Sequence, residues 1–216
     1  MKIAKMNFWH FCFSMSSLVC LLSGCVTFQV GGEIQKGRME LLYGDPKVAL
    51  AHFQHAAELD PDYRLAYSIF PEGVWTYVGR ANLASGMIPQ ARQALERARS
   101  RDEDDLAKLY LGLVLARGGD YDRALKEIEL GLRGIFDWYE WIQFNHVDGQ
   151  FWDPAKRLRK SIQKELTALA TRETKPDELV QNLSFLGREI ELEIDRAKDQ
   201  KENYWQHRFN DDGPRR

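Results

Sequence analysis

The chain has 216 residues, of which 44% are hydrophobic, so it is long enough to bury a continuous core. It carries 30 lysine and arginine residues against 32 aspartate and glutamate residues, and its formal net charge is −2. A protein that binds nucleic acid needs a basic surface to neutralise phosphates, so this balance argues against a nucleic-acid partner.

The first 24 residues have the layout of an export signal. Lys2 and Lys5 precede an apolar stretch from about residue 8 to residue 22. The stretch is shorter than the ~20 apolar residues of a membrane-spanning helix, and it contains several polar side chains. Residues 1–24 are therefore predicted to be a signal peptide.

The apolar stretch ends in the sequence LSGC, with small residues directly before Cys25. This motif resembles the bacterial lipobox, in which a peptidase cleaves in front of a lipid-modified cysteine. The resemblance implies cleavage between Gly24 and Cys25, and attachment of acyl chains such as palmitate at Cys25. The alternative is an ordinary signal peptide or an uncleaved anchor with a chance cysteine.

Cleavage at this point would leave Cys25 as the sole cysteine, because Cys12 and Cys20 lie in the predicted signal peptide. No internal disulfide is then expected. The net charge would become −4, because residues 1–24 contain two lysines and no acidic residue. Val26 follows the cysteine where enterobacterial inner-membrane lipoproteins tend to carry aspartate. The resemblance thus favours the outer membrane, facing the periplasm, with residues 25–32 as a lipidated linker.

An internal repeat occupies residues 33–137. Three glycines each precede a second glycine by seven residues and an alanine by twelve. A large apolar residue stands four positions after each alanine, and a small residue three further on. In chain order the three sets are Gly37, Gly44, Ala49, Phe53 and Ala56; Gly79, Gly86, Ala91, Leu95 and Ala98; and Gly112, Gly119, Ala124, Ile128 and Gly131.

This pattern resembles the tetratricopeptide repeat, a helix-turn-helix unit of about 34 residues. The first glycines are 42 and then 33 residues apart, and the excess, residues 64–71, is interpreted as a prolonged second helix that ends before Pro71. We predict an all-α fold, with about three tetratricopeptide-like hairpins in a short α-solenoid and capping helices at the C-terminal end.

Residues 138–208 are predicted to hold an aromatic segment and the C-terminal helices. Seven large rings lie between residues 136 and 152. They can form a layer that caps the apolar flank of the last repeat. They can also form a partner-binding patch, since aromatic side chains are common interface anchors. The candidates for that patch are Trp138, Tyr139, Trp141 and Trp152.

Two helices are expected after the aromatic segment. Asp153 and Pro154 predict an N-cap and a first helical residue, with a helix to about Ala170. Pro176 opens a second helix, and residues 209–216 are predicted to be a flexible tail. Apolar residues recur along the second helix at three- or four-residue spacing, which indicates one buried face. They are Leu179, Leu183, Leu186, Ile190, Ile194 and Ala197.

The resemblance also predicts a binding groove. In tetratricopeptide proteins the first helices line a concave surface, and the residue after the conserved glycine points into it. Arg38, Arg80 and Leu113 occupy that position here, with Arg117 one turn beyond Leu113. Two arginines in line favour an acidic segment or a free carboxylate. The alternative is that the arginines are solvated and bind nothing, and in either case neither is expected to be needed for packing.

No catalytic motif is present in the sequence. There is no GxSxG, P-loop or HExxH motif, and no cysteine nucleophile beyond the predicted lipid site. His52 and His55 are spaced to share a metal but lack a third ligand, so exposed histidines are the preferred interpretation. His146 and Asp148 form either a small polar site or a plain loop turn. We predict a non-enzyme that needs no cofactor or metal.

The predicted function is that of a protein-interaction adaptor or scaffold in the bacterial envelope. It would be tied to the membrane by its N-terminal lipid and would contact other envelope proteins or peptides. The rival is a ligand-binding component associated with a periplasmic uptake system. A deep pocket lined by Trp138, Trp141 and Trp152 would favour the rival, and a flat layer of rings would favour the adaptor.

Overall fold

The computed structural model describes residues 27–64, 72–100, 105–171 and 176–211. The predicted signal peptide and Cys25 lie outside these residues. The elements in chain order are α1 (27–43), α2 (Pro46–Leu59), α3 (Val74–Ala84), α4 (Ile88–Arg99), α5 (Asp105–Arg117), α6 (Tyr121–Asn145), a 3₁₀ turn (Gly149–Phe151), α7 (Arg157–Thr171) and α8 (Pro176–Asp211).

The predicted all-α class is confirmed. Within the described ranges no β-strand forms, and Arg64 and Gly73 make only an isolated antiparallel bridge. Residues 27–32 of the predicted linker already belong to helix α1, and Val30 is buried. None of the described helices is both long enough and apolar enough to cross a membrane.

Helices that follow one another in the chain pack together, with α3 against α4 and α5 against α6. The repeated glycines mark the closest approach within each pair, because a Cβ atom there would overlap the large residue of the same repeat. The overlapping pairs are Gly37 with Phe53, Gly79 with Leu95, and Gly112 with Ile128. The repeated alanines Ala49, Ala91 and Ala124 are fully buried.

The turns inside these pairs differ between the first repeat and the other two. Gly86 and Gly119 have φ angles of 76° and 84°, the left-handed region that glycine adopts without steric penalty. At the first turn the carboxylate of Asp45 accepts a hydrogen bond from the backbone N–H of Lys47 at 2.8 Å, and Pro46 starts α2. A capping residue therefore shapes the turn between α1 and α2.

The prolonged second helix expected over residues 64–71 does not form in the part that is described. Helix α2 ends at Leu59, and Asp60 is extended. The Asp60 carboxylate accepts a hydrogen bond from the backbone N–H of Asp62 at 3.0 Å, which closes a turn around Pro61. Pro61 itself has no N–H to continue the helix. Residues 65–71 lie outside the described part of the chain.

Helix α7 begins at Arg157, later than the sequence predicts. Asp153 and Lys156 have positive φ angles of 43° and 55°, so the chain turns here. The Asp153 carboxylate still caps α7, accepting hydrogen bonds from the backbone N–H groups of Leu158 and Arg159 at 3.1 and 3.0 Å. Pro154 lies in the turn instead of at the first helical position.

The predicted apolar stripe of α8 is confirmed, because all six of its residues are buried. They join the core that α5 and α6 build, and α8 also packs against α7 and the 3₁₀ turn. A second core lies around α1, α2 and α3, and it includes Ile34, Phe53 and Tyr77. Helix α8 continues to Asp211, inside the region predicted as a tail, and residues 212–216 are not described.

Candidate functional site

Arg38 and Arg80, the two arginines predicted to line a groove, meet at one carboxylate from the C-terminal helix. Helix α8 lies across them, and their exposed fractions are only 4% and 5%. Arg38 Nε donates to Glu191 Oε1, and Arg80 Nη1 donates to Glu191 Oε2 at 2.6 Å. The acidic partner expected from outside is thus supplied by α8 of the same chain.

Two further carboxylates complete this cluster, which we call the arginine–glutamate cluster. Arg80 Nη1 also donates to Glu72 Oε1 at 3.1 Å, and Arg38 Nη2 donates to Asp195 Oδ1 at 3.1 Å. The guanidinium carbon of Arg80 lies 4.9 Å from the ring centroid of Tyr110, a cation–π distance. The cluster therefore ties α8 to both α1 and α3.

The opposite charges in this cluster stabilise one another's ionised forms. Burial by itself would raise the pKa of Glu191, but the positive charges of Arg80 and Arg38 outweigh burial and lower it. Burial likewise opposes the charged form of Arg38, and Glu191 outweighs that effect and raises the pKa of Arg38. All three groups are therefore ionised at neutral pH. A buried charge of this kind is tolerated only while its partner is present.

The expectation that these arginines face an open groove and are not needed for packing is wrong. Their guanidinium groups are buried beneath α8 and bonded to it. Leu113 is fully buried in the core that also contains the α8 stripe, so it does not line an open surface either. Of the four predicted groove residues, Arg117 alone is exposed.

The predicted aromatic patch divides into buried and exposed rings. Tyr139 and Trp152 are buried, and the half-buried Trp138 packs edge-on against Trp152 with centroids 5.1 Å apart. These three rings form a packed layer. Trp141 remains exposed, at 54%. The capping interpretation therefore fits the three packed rings, and of the four candidates Trp141 alone is exposed.

Two further exposed apolar residues follow Trp141, and we call the three together the α6 patch. Phe144 is 77% exposed and lies one helical turn beyond Trp141, on the same side of α6. Val147, in the turn directly after α6, is 74% exposed. Of these three residues only Trp141 was among the predicted patch residues, although the three-residue spacing of Trp141 and Phe144 indicates a shared face.

A second buried polar cluster fixes the loop beside the α6 patch. Arg159 is buried, and its Nη1 donates to Gln143 and, at 3.0 Å, to Glu140 of α6. Its Nε donates to Asp153 at 3.2 Å, and the backbone N–H of Asp153 donates to Glu193 of α8 at 2.8 Å. The end of α6, the loop, α7 and α8 are held together by these bonds.

The histidines do not form a metal site in the described structure. His52 Nδ1 lies 2.7 Å from Glu33 Oε2, and His55 Nδ1 lies 3.7 Å from the same oxygen. Hydrogen bonds from Lys36 and His52 hold the pKa of Glu33 at about 2. Across the described ranges no three histidine, cysteine, aspartate or glutamate side chains come together as ligands.

The segment around His146 is a loop turn. His146 Nδ1 accepts a hydrogen bond from the backbone N–H of Asp148 at 3.1 Å, and Lys201 Nζ donates to the Asp148 carboxylate at 2.7 Å. The Lys201 bond fastens this turn to α8.

A cavity of about 170 Å³ lies next to the arginine–glutamate cluster, between α1, α3, α5 and α8. Its walls combine leucine and alanine side chains with three arginines, and no tryptophan of the described chain lines it. The lining residues are Leu41, Leu42, Arg80, Leu83, Ala84, Tyr110, Arg117, Ser184 and Arg188.

No protein-family model, curated protein or solved structure matches this chain.

Proposed function

We propose that this protein is a tetratricopeptide-repeat lipoprotein of the bacterial envelope that acts as an interaction adaptor. The repeat assignment is supported by three glycines at equivalent sequence positions, each of which contacts the large apolar residue of its own repeat. It is also supported by the left-handed glycines at the second and third turns. Stacked helical hairpins of this kind offer extended surfaces to partner proteins.

The lipobox-like residues 22–25 support a membrane anchor at Cys25. Helix α1 already includes residue 27, two positions after the proposed lipidated residue. In this arrangement the helices sit close to the membrane surface, on the periplasmic side of the outer membrane. Attachment through more than one acyl chain would make the anchorage lasting.

The single observation that carries the adaptor proposal is the α6 patch. Large aromatic side chains contribute most when a partner covers them, and exposing them to water is unfavourable. Trp141 and Phe144 are exposed although the neighbouring rings of the same segment are buried. The Arg159 cluster orders the adjoining loop before any partner arrives, which lowers the entropy cost of binding.

The rival function, a ligand-binding component of an uptake system, receives less support from the aromatic segment. Its expected pocket would be lined by Trp138, Trp141 and Trp152, but Trp138 and Trp152 pack against each other in the ring layer and Trp141 is exposed. This packed ring layer, with no pocket between Trp138 and Trp152, favours the adaptor.

Site-specific photocrosslinking in living cells tests the adaptor proposal. A photoreactive amino acid at Trp141 or Phe144 should give a discrete adduct with one envelope protein. The same amino acid at Tyr121, which is 44% exposed at the other end of α6, is the matched control and should give none. Phe144→Ser should remove the adduct formed from position 141 while leaving the melting temperature unchanged.

The adaptor proposal fails if positions 141 and 144 give no adduct in cells that express the lipidated protein. It also fails if Tyr121 gives the same adducts, because general stickiness would then explain them.

A further inference from the structure

We infer that the cavity between α1, α3, α5 and α8 is a binding site for a small organic carboxylate with a compact apolar body. This site is separate from the α6 patch, and its role goes beyond that of an adaptor. Three helices each contribute an arginine to it, namely Arg80 from α3, Arg117 from α5 and Arg188 from α8.

Arg80 has one hydrogen-bond donor without a partner. Arg80 Nη1 donates hydrogen bonds to Glu72 and Glu191. Arg80 Nε is buried and has no hydrogen-bond partner within the described structure. A buried donor without a partner is unfavourable and uncommon. Arg80 also lines the cavity, so its guanidinium group borders the space that a ligand would occupy.

Two arginines that line the cavity, Arg117 and Arg188, carry positive charge without a carboxylate partner among the described residues. Among the described residues neither Arg117 nor Arg188 has a carboxylate within ion-pair distance, and Arg188 Nη2 donates to the backbone oxygen of Leu42 at 2.7 Å. Most other arginines of this acidic chain are paired with carboxylates, namely Arg92, Arg99, Arg123, Arg133, Arg157, Arg159 and Arg196. Arg117 and Arg188 thus bring positive charge to the cavity that no described carboxylate neutralises.

The walls of the cavity indicate what the rest of the ligand is like. Leu41, Leu42, Leu83, Ala84 and the ring of Tyr110 make them largely apolar. A volume of about 170 Å³ is close to that of an apolar cavity that holds one benzene molecule, about 150 Å³. Inorganic phosphate would satisfy the arginines but leave these walls in contact with water. A carboxylate on a ring or a short chain satisfies both parts of the site.

Such a ligand would also bridge helices. It would contact Arg188 on α8 as well as Arg80 on α3 and Arg117 on α5. Binding is therefore expected to strengthen the docking of α8 and to raise the melting temperature, because the ligand favours the folded state alone.

The test uses the full-length protein in nanodiscs, with benzoate and hexanoate as probes. Calorimetry should show saturable binding of at least one of them, together with a rise in melting temperature. Benzamide, hexanamide and inorganic phosphate should bind at least tenfold more weakly, because they lack either the charge or the apolar body.

Variants locate the binding in the cavity. Arg117→Gln and Arg188→Gln should each weaken binding of the carboxylate at least tenfold, and both residues are exposed, so the fold should persist. Ala84→Phe should abolish binding by filling the cavity from an exposed wall position. Arg133→Gln, which removes an exposed arginine of α6 away from the cavity, is the control and should bind like the wild type.

The inference is overturned if neither carboxylate binds, if the amides or phosphate bind equally well, or if Ala84→Phe retains full affinity. Photocrosslinking from Trp141 does not depend on the cavity. If the carboxylates do not bind, the adaptor proposal is therefore unaffected.

Discussion

Replacing Glu191 with glutamine should destabilise the protein strongly, because it leaves two buried arginines short of a counter-charge. Removing one partner of a buried ion pair costs about 3–5 kcal/mol. Arg80 retains Glu72 and Arg38 retains Asp195, each at 3.1 Å, so we expect the lower end, about 3 kcal/mol. For a chain of this size that corresponds to a fall in melting temperature of roughly 6–12 °C.

The same variant should change the dependence of stability on pH. Arg80 and Arg38 hold the pKa of Glu191 below its ordinary value of 4.5 in the folded protein. The stabilisation is therefore fully present above pH 4.5 and is lost as the pH falls through the lowered folded pKa. The difference in melting temperature between the wild type and Glu191→Gln should narrow as the pH falls below 4.5.

Thermal unfolding followed by circular dichroism measures both effects. Glu189→Gln is the matched control on the same helix, because Glu189 pairs with the partly exposed Arg196, and it should cost less than about 1 kcal/mol. Replacing Arg38, Arg80, Glu191 and Glu72 together with Met, Leu, Leu and Gln should restore most of the loss, because no buried charge of the cluster is then left without its partner, and the remaining Asp195 is partly exposed. A Glu191→Gln variant that melts like the wild type would refute the reasoning.

Further substitutions test other parts of the structure. Gly79→Ala should lower stability by ~1–3 kcal/mol in urea titrations, because its methyl group would overlap Leu95. Gly32→Ala should raise stability by ~0.5–1 kcal/mol, because nothing lies near the added atom, and equal effects of the two changes would contradict the helix contact. Tyr77→Phe should leave the melting temperature unchanged or higher, because the buried Tyr77 hydroxyl has no hydrogen-bond partner in the described chain; a clear fall would indicate a missed bond. Cys25→Ser should abolish labelling by a radioactive fatty acid and leave an unprocessed precursor, and continued labelling would exclude the lipobox.

Local contacts could be predicted because residues that make them recur at regular spacing in the sequence. A position that cannot hold a side chain must be glycine, so the closest approaches at Gly37, Gly79 and Gly112 appear as a repeat with their partner residues. The buried face of α8 was equally visible, because its apolar residues recur at the helical period.

The placement of α8 could not be predicted, because a periodic pattern shows which face is buried but not the surface that covers it. Glu191 and Arg38 are 153 positions apart in the chain. Charged residues are normally solvated, so the arginines were expected in water. The start of α7 was missed for another reason, since Asp153 caps this helix across a turn instead of from the adjacent position.

Cross-linking tests most directly whether α8 lies across α1 and α3. Cysteines replace Tyr43 and Phe185, which are 64% and 66% exposed, in a chain whose other cysteines are serine. Arg188, one helical turn after Phe185, donates to the backbone oxygen of Leu42, the neighbour of Tyr43, at 2.7 Å, so a short bismaleimide should join the pair in the native protein and not in urea. If each cysteine alone reacts with a monofunctional maleimide but the native pair gives no intramolecular cross-link, α8 does not cover the groove.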